Sequence, residues 1–95
     1  MIKDIINSPV KNKKYRAIMS DGSKIDFGLK SSITYLDHKD KTKRNNYRAR
    51  HLGNDREYYL IKNNIPSPAL LSYYLLWGPY TTLHQNINYL NELLK

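Results

Sequence analysis

Seven cationic side chains lie close together in the middle of the chain, between residues 38 and 56, and only Asp40 and Asp55 lie among them as acids. On a helix, residues three, four and seven positions apart share a side. The cations are Lys39, Lys41, Lys43, Arg44, Arg48, Arg50 and Arg56. A row of cations on a helix suits the phosphates of a nucleic acid, because each phosphate contact releases condensed counterions. The alternative is a solvated charged face that only keeps a small domain soluble.

Three further features could assist such a contact: a second basic patch, a tyrosine of the central cluster, and His51 at the end of that cluster as a phosphate contact or cap. A second basic patch with Lys11, Lys13, Lys14 and Arg16 precedes the central one. Tyr47 lies within the central cluster and is the tyrosine best placed to stack on a base, although most of the nine tyrosines suit the margins of a core. The predicted nucleic-acid-binding residues are therefore Lys13, Lys14, Arg16, Lys39, Lys41, Lys43, Arg44, Tyr47, Arg48, Arg50 and His51.

Residue types of catalytic and metal sites are present, but their spacing is unsuitable. His38 and His51 would lie about 20 Å apart on one helix and could not share an ion. The sequence has no cysteine, no Gly-rich phosphate loop and no nucleophile elbow. We therefore predict no catalytic residue, no metal ligand and no cofactor, and expect that the protein is not an enzyme. A metal-dependent nuclease is a third-ranked alternative.

An antiparallel β-hairpin is predicted over residues 13–29, because two alternating runs flank Asp21-Gly22, a pair typical of two-residue hairpin turns. Three apolar residues of the second strand are expected to share one face: Ile25, Phe27 and Leu29. A two-stranded ribbon is marginal alone. Helices or a third strand, with residues 2–6 as the candidate, must therefore cover it.

The central cations are predicted to lie on a basic helix over residues 37–52, capped by Thr34 or Asp37 and ended by Gly53. Its few apolar anchors are Leu36, Tyr47, Ala49 and Leu52. A helical core segment follows over 67–95. Ser67-Pro68 favours helix initiation, residues 69–77 are apolar nearly all round, and a later stripe has helical spacing. The stripe consists of Leu83, Ile87, Leu90 and Leu94.

The composition places these elements in one basic α+β domain that spans residues 1–95. The chain has a formal net charge of +8 and is 40% hydrophobic, which is too apolar for a disordered basic tail. Residues 64–94 carry one acid and no Lys or Arg, so the charge is segregated from the core-forming half. No apolar run is long enough to span a bilayer, and we expect no membrane partner. Lys, Asn, Ile and Tyr fill 39 of 95 positions and have AT-rich codons, which indicates an AT-rich genome.

Four segments resemble a small basic family of unknown function that giant DNA viruses and some large phages encode. The resemblance extends from about Lys13 to Pro79. The segments are Asp21-Gly22-Ser23-Lys24-Ile25-Asp26-Phe27-Gly28, Tyr35-Leu36-Asp37-His38-Lys39-Asp40, Arg44-Asn45-Asn46-Tyr47-Arg48-Ala49-Arg50-His51 and Leu75-Leu76-Trp77-Gly78. The turn reads Asp-Gly-Ser-Lys where the family has Asp-Gly-Lys, and an extended C-terminal helix follows. The resemblance implies a viral protein packaged in the virion, and it brings no assigned chemistry.

The expected function is that of a non-enzymatic, largely sequence-independent DNA-binding protein that compacts or packages a large viral genome. DNA is favoured over RNA, and self-association is expected through the apolar C-terminal helices, since compaction needs two DNA contacts per particle. The expected location is the virion and the viral factory in the host-cell cytoplasm. The alternative is a minor structural virion protein whose basic face docks an acidic protein partner.

Overall fold

Alternating apolar and polar residues at the start of the chain form an antiparallel sheet of three strands in the computed structural model, which describes residues 1–95. The strands are β1 (Ile2–Asn7), β2 (Lys13–Met19) and β3 (Lys24–Leu29), in the spatial order β1-β2-β3. Helices follow the sheet, so the predicted α+β single domain is confirmed. The hairpin lies within residues 13–29, and the candidate third strand is β1.

The turn between β2 and β3 has three residues, not the predicted two. The Gly22 amide donates to the Met19 carbonyl at 3.0 Å, and the Met19 amide donates to the Ser23 carbonyl at 2.9 Å. Gly22 has a φ of +88°, whereas Asp21 keeps a negative φ. A tight turn followed by one left-handed residue makes a bulged hairpin end. Asp21 instead accepts hydrogen bonds from the Ser23 amide and hydroxyl, at 2.9 and 2.6 Å.

The inner face of the sheet includes Phe27, which is fully buried, but Leu29 is 62% exposed and does not share that face as expected. The cause is Gly28, whose φ of +77° interrupts the alternation of the strand. A side chain at Gly28 would also lie 3.0 Å from Leu76 Cδ1. The end of β3 therefore turns away from the core.

The basic segment forms two helices rather than the single one predicted over 37–52. They are α1 (Tyr35–His38) and α2 (Lys41–Leu52). Lys39 ends α1 in the left-handed region with a φ of +57°. The Asp40 carboxylate then caps α2, because it accepts hydrogen bonds from the amides of Thr42 and Lys43 at 2.9 and 3.2 Å.

Three further helical elements complete the domain. They are α3 (Asp55–Lys62), α4 (Pro68–Leu71), which continues into a π-helical segment (Ser72–Leu76), and α5 (Leu83–Leu93). The Ser67 hydroxyl accepts from the Leu70 amide at 3.2 Å and so caps α4, as predicted. No helix has the length and apolar character that a membrane crossing would require.

The core lies between the inner face of the sheet and the C-terminal helices. Its buried cluster consists of Ile2, Ala17, Met19, Phe27, Tyr35, Leu70, Leu71, Leu75, Leu76, Trp77 and Leu90. The other members of the predicted stripe, Leu83, Ile87 and Leu94, are partly buried against this cluster. The stripe on α5 therefore covers the chain's own core.

A fully buried asparagine joins α5 to the end of the π-helical segment. The Asn86 amide nitrogen donates to the carbonyls of Leu75 and Tyr80, both at 3.0 Å, and its carbonyl oxygen accepts from the Tyr80 amide at 3.0 Å. These three hydrogen bonds satisfy backbone groups that the irregular segment after Leu76 leaves without helical partners.

Candidate nucleic-acid interface

Helix α2 lies on the surface, and none of its residues is buried. One aromatic contact holds it to the body: the Tyr47 ring stacks on the Trp77 ring, with centroids 4.1 Å apart and an interplanar angle of 10°. His51, one turn further, lies 4.2 Å from Tyr47 between ring centroids and contacts the Glu57 carboxylate of α3 through Nδ1. Ala49 and Leu52, which were expected to anchor the helix, are exposed.

Two arginines of α2 lie on tyrosine rings of the body. The Arg44 guanidinium lies 5.0 Å from the centroid of Tyr35, and that of Arg48 lies 4.2 Å from the centroid of Tyr73. A cation over an aromatic face gains about 0.5 to 2 kcal/mol, depending on its desolvation. Arg48 Nε is buried and has no hydrogen-bond partner. Arg44 and Arg48 thus contribute to the attachment of α2, and both are only half-exposed.

The remaining cations of the basic segment are exposed, and none of them has an acidic partner. They are Lys39, Lys41, Lys43, Arg50 and Arg56. The ion pairs of the chain are Arg16 with Asp26 and Lys95 with Glu92, and the His51 ring lies against the Glu57 carboxylate. The positive charge of these five side chains is therefore uncompensated within the molecule.

The second basic patch is largely engaged within the fold. Arg16 donates to both oxygens of Asp26, from Nε at 3.0 Å and from Nη2 at 3.1 Å. The hydrogen bonds from Arg16 and then Ser8 hold the pKa of the Asp26 carboxyl below its usual value. Lys14 Nζ donates to the Ser32 carbonyl at 2.8 Å. Of the three predicted residues in this patch, only Lys13 has neither an ion pair nor a side-chain hydrogen bond.

A shallow groove of about 740 Å³ runs along one flank of α2. Lys43, Asn46 and Arg50 form its outer wall, and Trp77 and His38 lie at its base. The Nδ1 atom of His38 accepts from the Asp40 amide at 2.9 Å, so a neutral ring carries its proton on Nε2. Asn46 was missed from the sequence, although its spacing of three and four residues from Lys43 and Arg50 places it on the same flank.

A cleft of about 750 Å³ lies beyond the C-terminal end of α2, between β3, α3 and α4. It brings together Lys13 from the second patch with Tyr47, His51 and Arg56 from the central one. Lys13 and Arg56 are the two unpaired cations of this cleft, whereas His51 is paired with Glu57. Lys13 is therefore the one member of the second patch that lies beside residues of the central cluster.

The Tyr47 hydroxyl is less acidic than an ordinary phenol, because the ring is packed between α2 and Trp77. The pKa of Tyr47 is raised to about 12, mainly by burial and also by the nearby Glu57 carboxylate, while Arg50 acts in the opposite direction. The pKa of Tyr74 is also raised, mainly by burial. The fold therefore favours the neutral phenols over the tyrosinates.

We expect an alkaline loss of stability that depends on Tyr47. Its pKa is about 12 in the folded chain and 10.0 without the fold. The stabilisation from the neutral phenol is therefore complete below the pKa of Tyr47 in the unfolded chain. It is lost as the pH rises towards the pKa in the folded chain. Urea unfolding over this alkaline range should show a smaller decline in Tyr47→Phe, which keeps the stack on Trp77 but cannot ionise. Equal declines in both proteins would contradict the assignment.

The titratable side chains do not assemble into a metal centre. No group of three or more His, Asp or Glu residues lies close enough to hold an ion. His38 ends α1 and His51 lies in the last turn of α2, where it pairs with Glu57. The candidate interface therefore consists of exposed cations and of the aromatic side chains that attach α2 to the body.

Comparison with known proteins gives one match. Residues 3–51 match the model of a family of unknown function, DUF5754. These residues include the sheet except Ile2, all of α1 and nearly all of α2, and they make up just over half of the chain. No curated protein and no solved structure matches the chain.

Proposed function

The chain belongs to DUF5754, a family of unknown function, and we propose that it is a non-enzymatic DNA-binding protein whose affinity comes mainly from phosphate contacts of α2. Lys41, Lys43 and Arg50 of α2 and Lys39, which follows α1, are the proposed phosphate contacts, with Arg56 and Lys13 beside them. Arg44 and Arg48 support the helix and add to its positive field. Binding that relies on phosphates is largely independent of sequence.

The observation that carries this proposal is the set of exposed, unpaired cations along α2. A domain that used these charges only for solubility would gain as much from cations interspersed with acids. Here the exposed cations of α2 have no carboxylate partner, and α2 itself contains no acid. Such a one-sided field attracts polyanions over distances of about 10 Å at moderate salt.

Charge reversal at Lys43 and Arg50 should weaken duplex binding by about tenfold or more, because each reversal removes a phosphate contact and adds a repulsion. Both side chains are exposed and contribute no ion pair, so the fold should persist. Fluorescence anisotropy with a labelled 20-base-pair duplex would be measured across a salt series. We expect the log–log salt slope of Lys43→Glu/Arg50→Glu to be less steep by about two.

The matched control is Lys24→Glu/Lys30→Glu, which changes the net charge equally at two exposed lysines near β3. If net charge alone governs binding, both double variants will lose the same affinity and the α2 assignment fails. If the wild-type protein does not bind duplex at low salt, DNA binding itself is wrong. Binding to an acidic protein that is lost only in the α2 variant would then favour the alternative virion-protein role.

We further propose that the protein acts in a large DNA virus or phage, in the virion and the viral factory, where it compacts or packages the genome. The abundance of amino acids with AT-rich codons and the resemblance to viral proteins support this setting. Compaction requires two DNA contacts per particle, which self-association would supply. Because the α5 stripe covers the chain's own core, the C-terminal surface that remains for self-association includes the exposed rings of Tyr80 and Tyr89.

A further inference from the structure

The side of α2 that faces away from the body carries no charge. Successive residues of a helix are rotated by about 100°, so positions separated by three or four residues form a strip. The strip opposite Tyr47 consists of Thr42, Asn45, Ala49 and Leu52, and all four residues are exposed. We call it the outer strip. An exposed strip with alanine and leucine at its centre and end is unusual on a helix that has five cations.

The cations of α2 lie on both sides of the outer strip. Lys43 and Arg50 occupy one flank, beside the groove that Asn46 also lines. Lys41 shares the opposite flank with Arg44 and Arg48, which lie against the tyrosines of the body. Short neutral side chains therefore form the outward face of the helix, and cations lie on both flanks.

This arrangement matches the cross-section of the DNA major groove. The groove is about 12 Å wide and admits an α-helix, with base edges at its floor and phosphates along both rims. A helix of 12 residues is about 18 Å long and about 10 to 12 Å in diameter. The outer strip has side chains short enough to approach the base edges. The exposed cations beside it, Lys43 and Arg50 on one flank and Lys41 on the other, are available for the two phosphate rims.

One side chain of the outer strip is held in place by its neighbour. Arg44 donates from Nε and Nη2 to the Asn45 carbonyl oxygen, at 3.2 Å in both cases. The Asn45 amide nitrogen keeps its two hydrogens for an acceptor outside the chain. Purine N7, guanine O6 and thymine O4 are such acceptors in the major groove, together with the thymine methyl group, which suits Ala49.

We propose that α2 docks lengthwise in the major groove of duplex DNA, with the outer strip towards the base edges. The inference rests on the proposed DNA binding and specifies the form of nucleic acid. The major groove of A-form RNA is deep and too narrow for side chains to read. The geometry of α2 therefore selects duplex DNA over duplex RNA, and base contacts add only a modest sequence preference to the phosphate contacts.

Enlarging a side chain of the outer strip without changing the charge of the helix tests the docking. Ala49→Trp should weaken binding to a 20-base-pair DNA duplex by about tenfold, because a bulky ring on the outer strip blocks entry into the groove. Thr42→Trp, about two turns earlier on the same strip, should act in the same way. The control is Asn88→Trp, which adds the same ring at an exposed position of α5. Thermal melts should show that all three variants remain folded.

The same titrations are repeated with an RNA duplex of identical sequence, to which the wild-type protein should bind at least about tenfold more weakly. If Ala49→Trp and Thr42→Trp bind DNA as the wild type does while Lys43→Glu/Arg50→Glu is impaired, groove docking is overturned and phosphate binding stands. Equal affinities for the two duplexes would also overturn it. Failure of the wild type to bind any duplex at low salt overturns both proposals.

Discussion

Gly78→Ala should lose at least about 3 kcal/mol of stability, because no side chain fits where Gly78 lies. A Cβ atom at this position would lie 1.9 Å from the Tyr74 carbonyl oxygen and 2.9 Å from Asn86 Oδ1. The first of these is a backbone atom of the π-helical segment, so relief requires a backbone shift. The midpoint of thermal unfolding, followed by circular dichroism, should fall by about 12 °C or more.

Gly53→Ala is the matched control, since this glycine follows α2 with ordinary room for a side chain. A Cβ atom there would meet the Ala49 carbonyl oxygen at 3.4 Å, a normal contact distance. Its φ of −78° is one that alanine adopts readily. We expect a change within about 1 kcal/mol for Gly53→Ala. A Gly78→Ala protein that melts with the wild type would show that the close approach at Tyr74 is not required.

Asn86→Leu should cost about 3 to 4 kcal/mol, since it removes the partners of three backbone groups while keeping a side chain that branches at Cγ. The deprived groups are the carbonyls of Leu75 and Tyr80 and the amide of Tyr80. A polar group left buried without a partner costs about 1 to 3 kcal/mol, and the part-buried groups at Tyr80 can regain some water. Urea unfolding at neutral pH gives the free-energy difference.

Asn88→Leu serves as the comparison, because Asn88 lies on the same helix and is exposed. Its change in unfolding free energy should stay within about 0.5 kcal/mol. If the two leucine variants unfold at the same urea concentration, the hydrogen bonds of Asn86 contribute nothing beyond those of a surface amide. The expected contrast would instead identify Asn86 as the link between α5 and the segment after Leu76.

Local patterns in the sequence were sufficient for the hairpin, the start of α4, the buried side of α5 and the general layout. The alternation around Asp21 and Gly22 located the hairpin, and the spacing of Leu83, Ile87, Leu90 and Leu94 located the buried side of α5. The break at Lys39 was not predicted. Asp40 competes with Thr34 and Asp37 as the N-cap residue of a helix. Only the left-handed conformation of Lys39 shows that a new helix begins at this point.

The candidate site was predictable as a cluster of residues but not in its division of roles. By their charge and their position in the sequence, Arg48 and Arg50 are equivalent. The structure separates them, because Arg48 meets the ring of Tyr73, 25 residues further along the chain, while Arg50 is exposed. Contacts over such separations depend on the tertiary arrangement, and no local spacing indicates them. The same holds for Asn86, which resembled any other polar residue of an amphipathic helix.

The residues that match the family do not contain their own core. Among the buried cluster, only Ala17, Met19, Phe27 and Tyr35 lie within 3–51. The apolar surface that covers Phe27 comes from the C-terminal helices. The sheet and the basic helices therefore depend on residues 68–93 for their stability, and studies of binding should use the whole chain.

The stack of Tyr47 on Trp77 gives the molecule a built-in optical probe. Trp77 is the single tryptophan of the chain, and its ring lies directly beneath the one aromatic residue of α2. Its emission therefore reports on the attachment of α2 without any attached dye, although the His38 ring also lies near, with centroids 5.3 Å apart. Movement of α2 away from the body changes the surroundings of the indole, whereas a rigid encounter with a ligand on the far side of the helix leaves them unaltered.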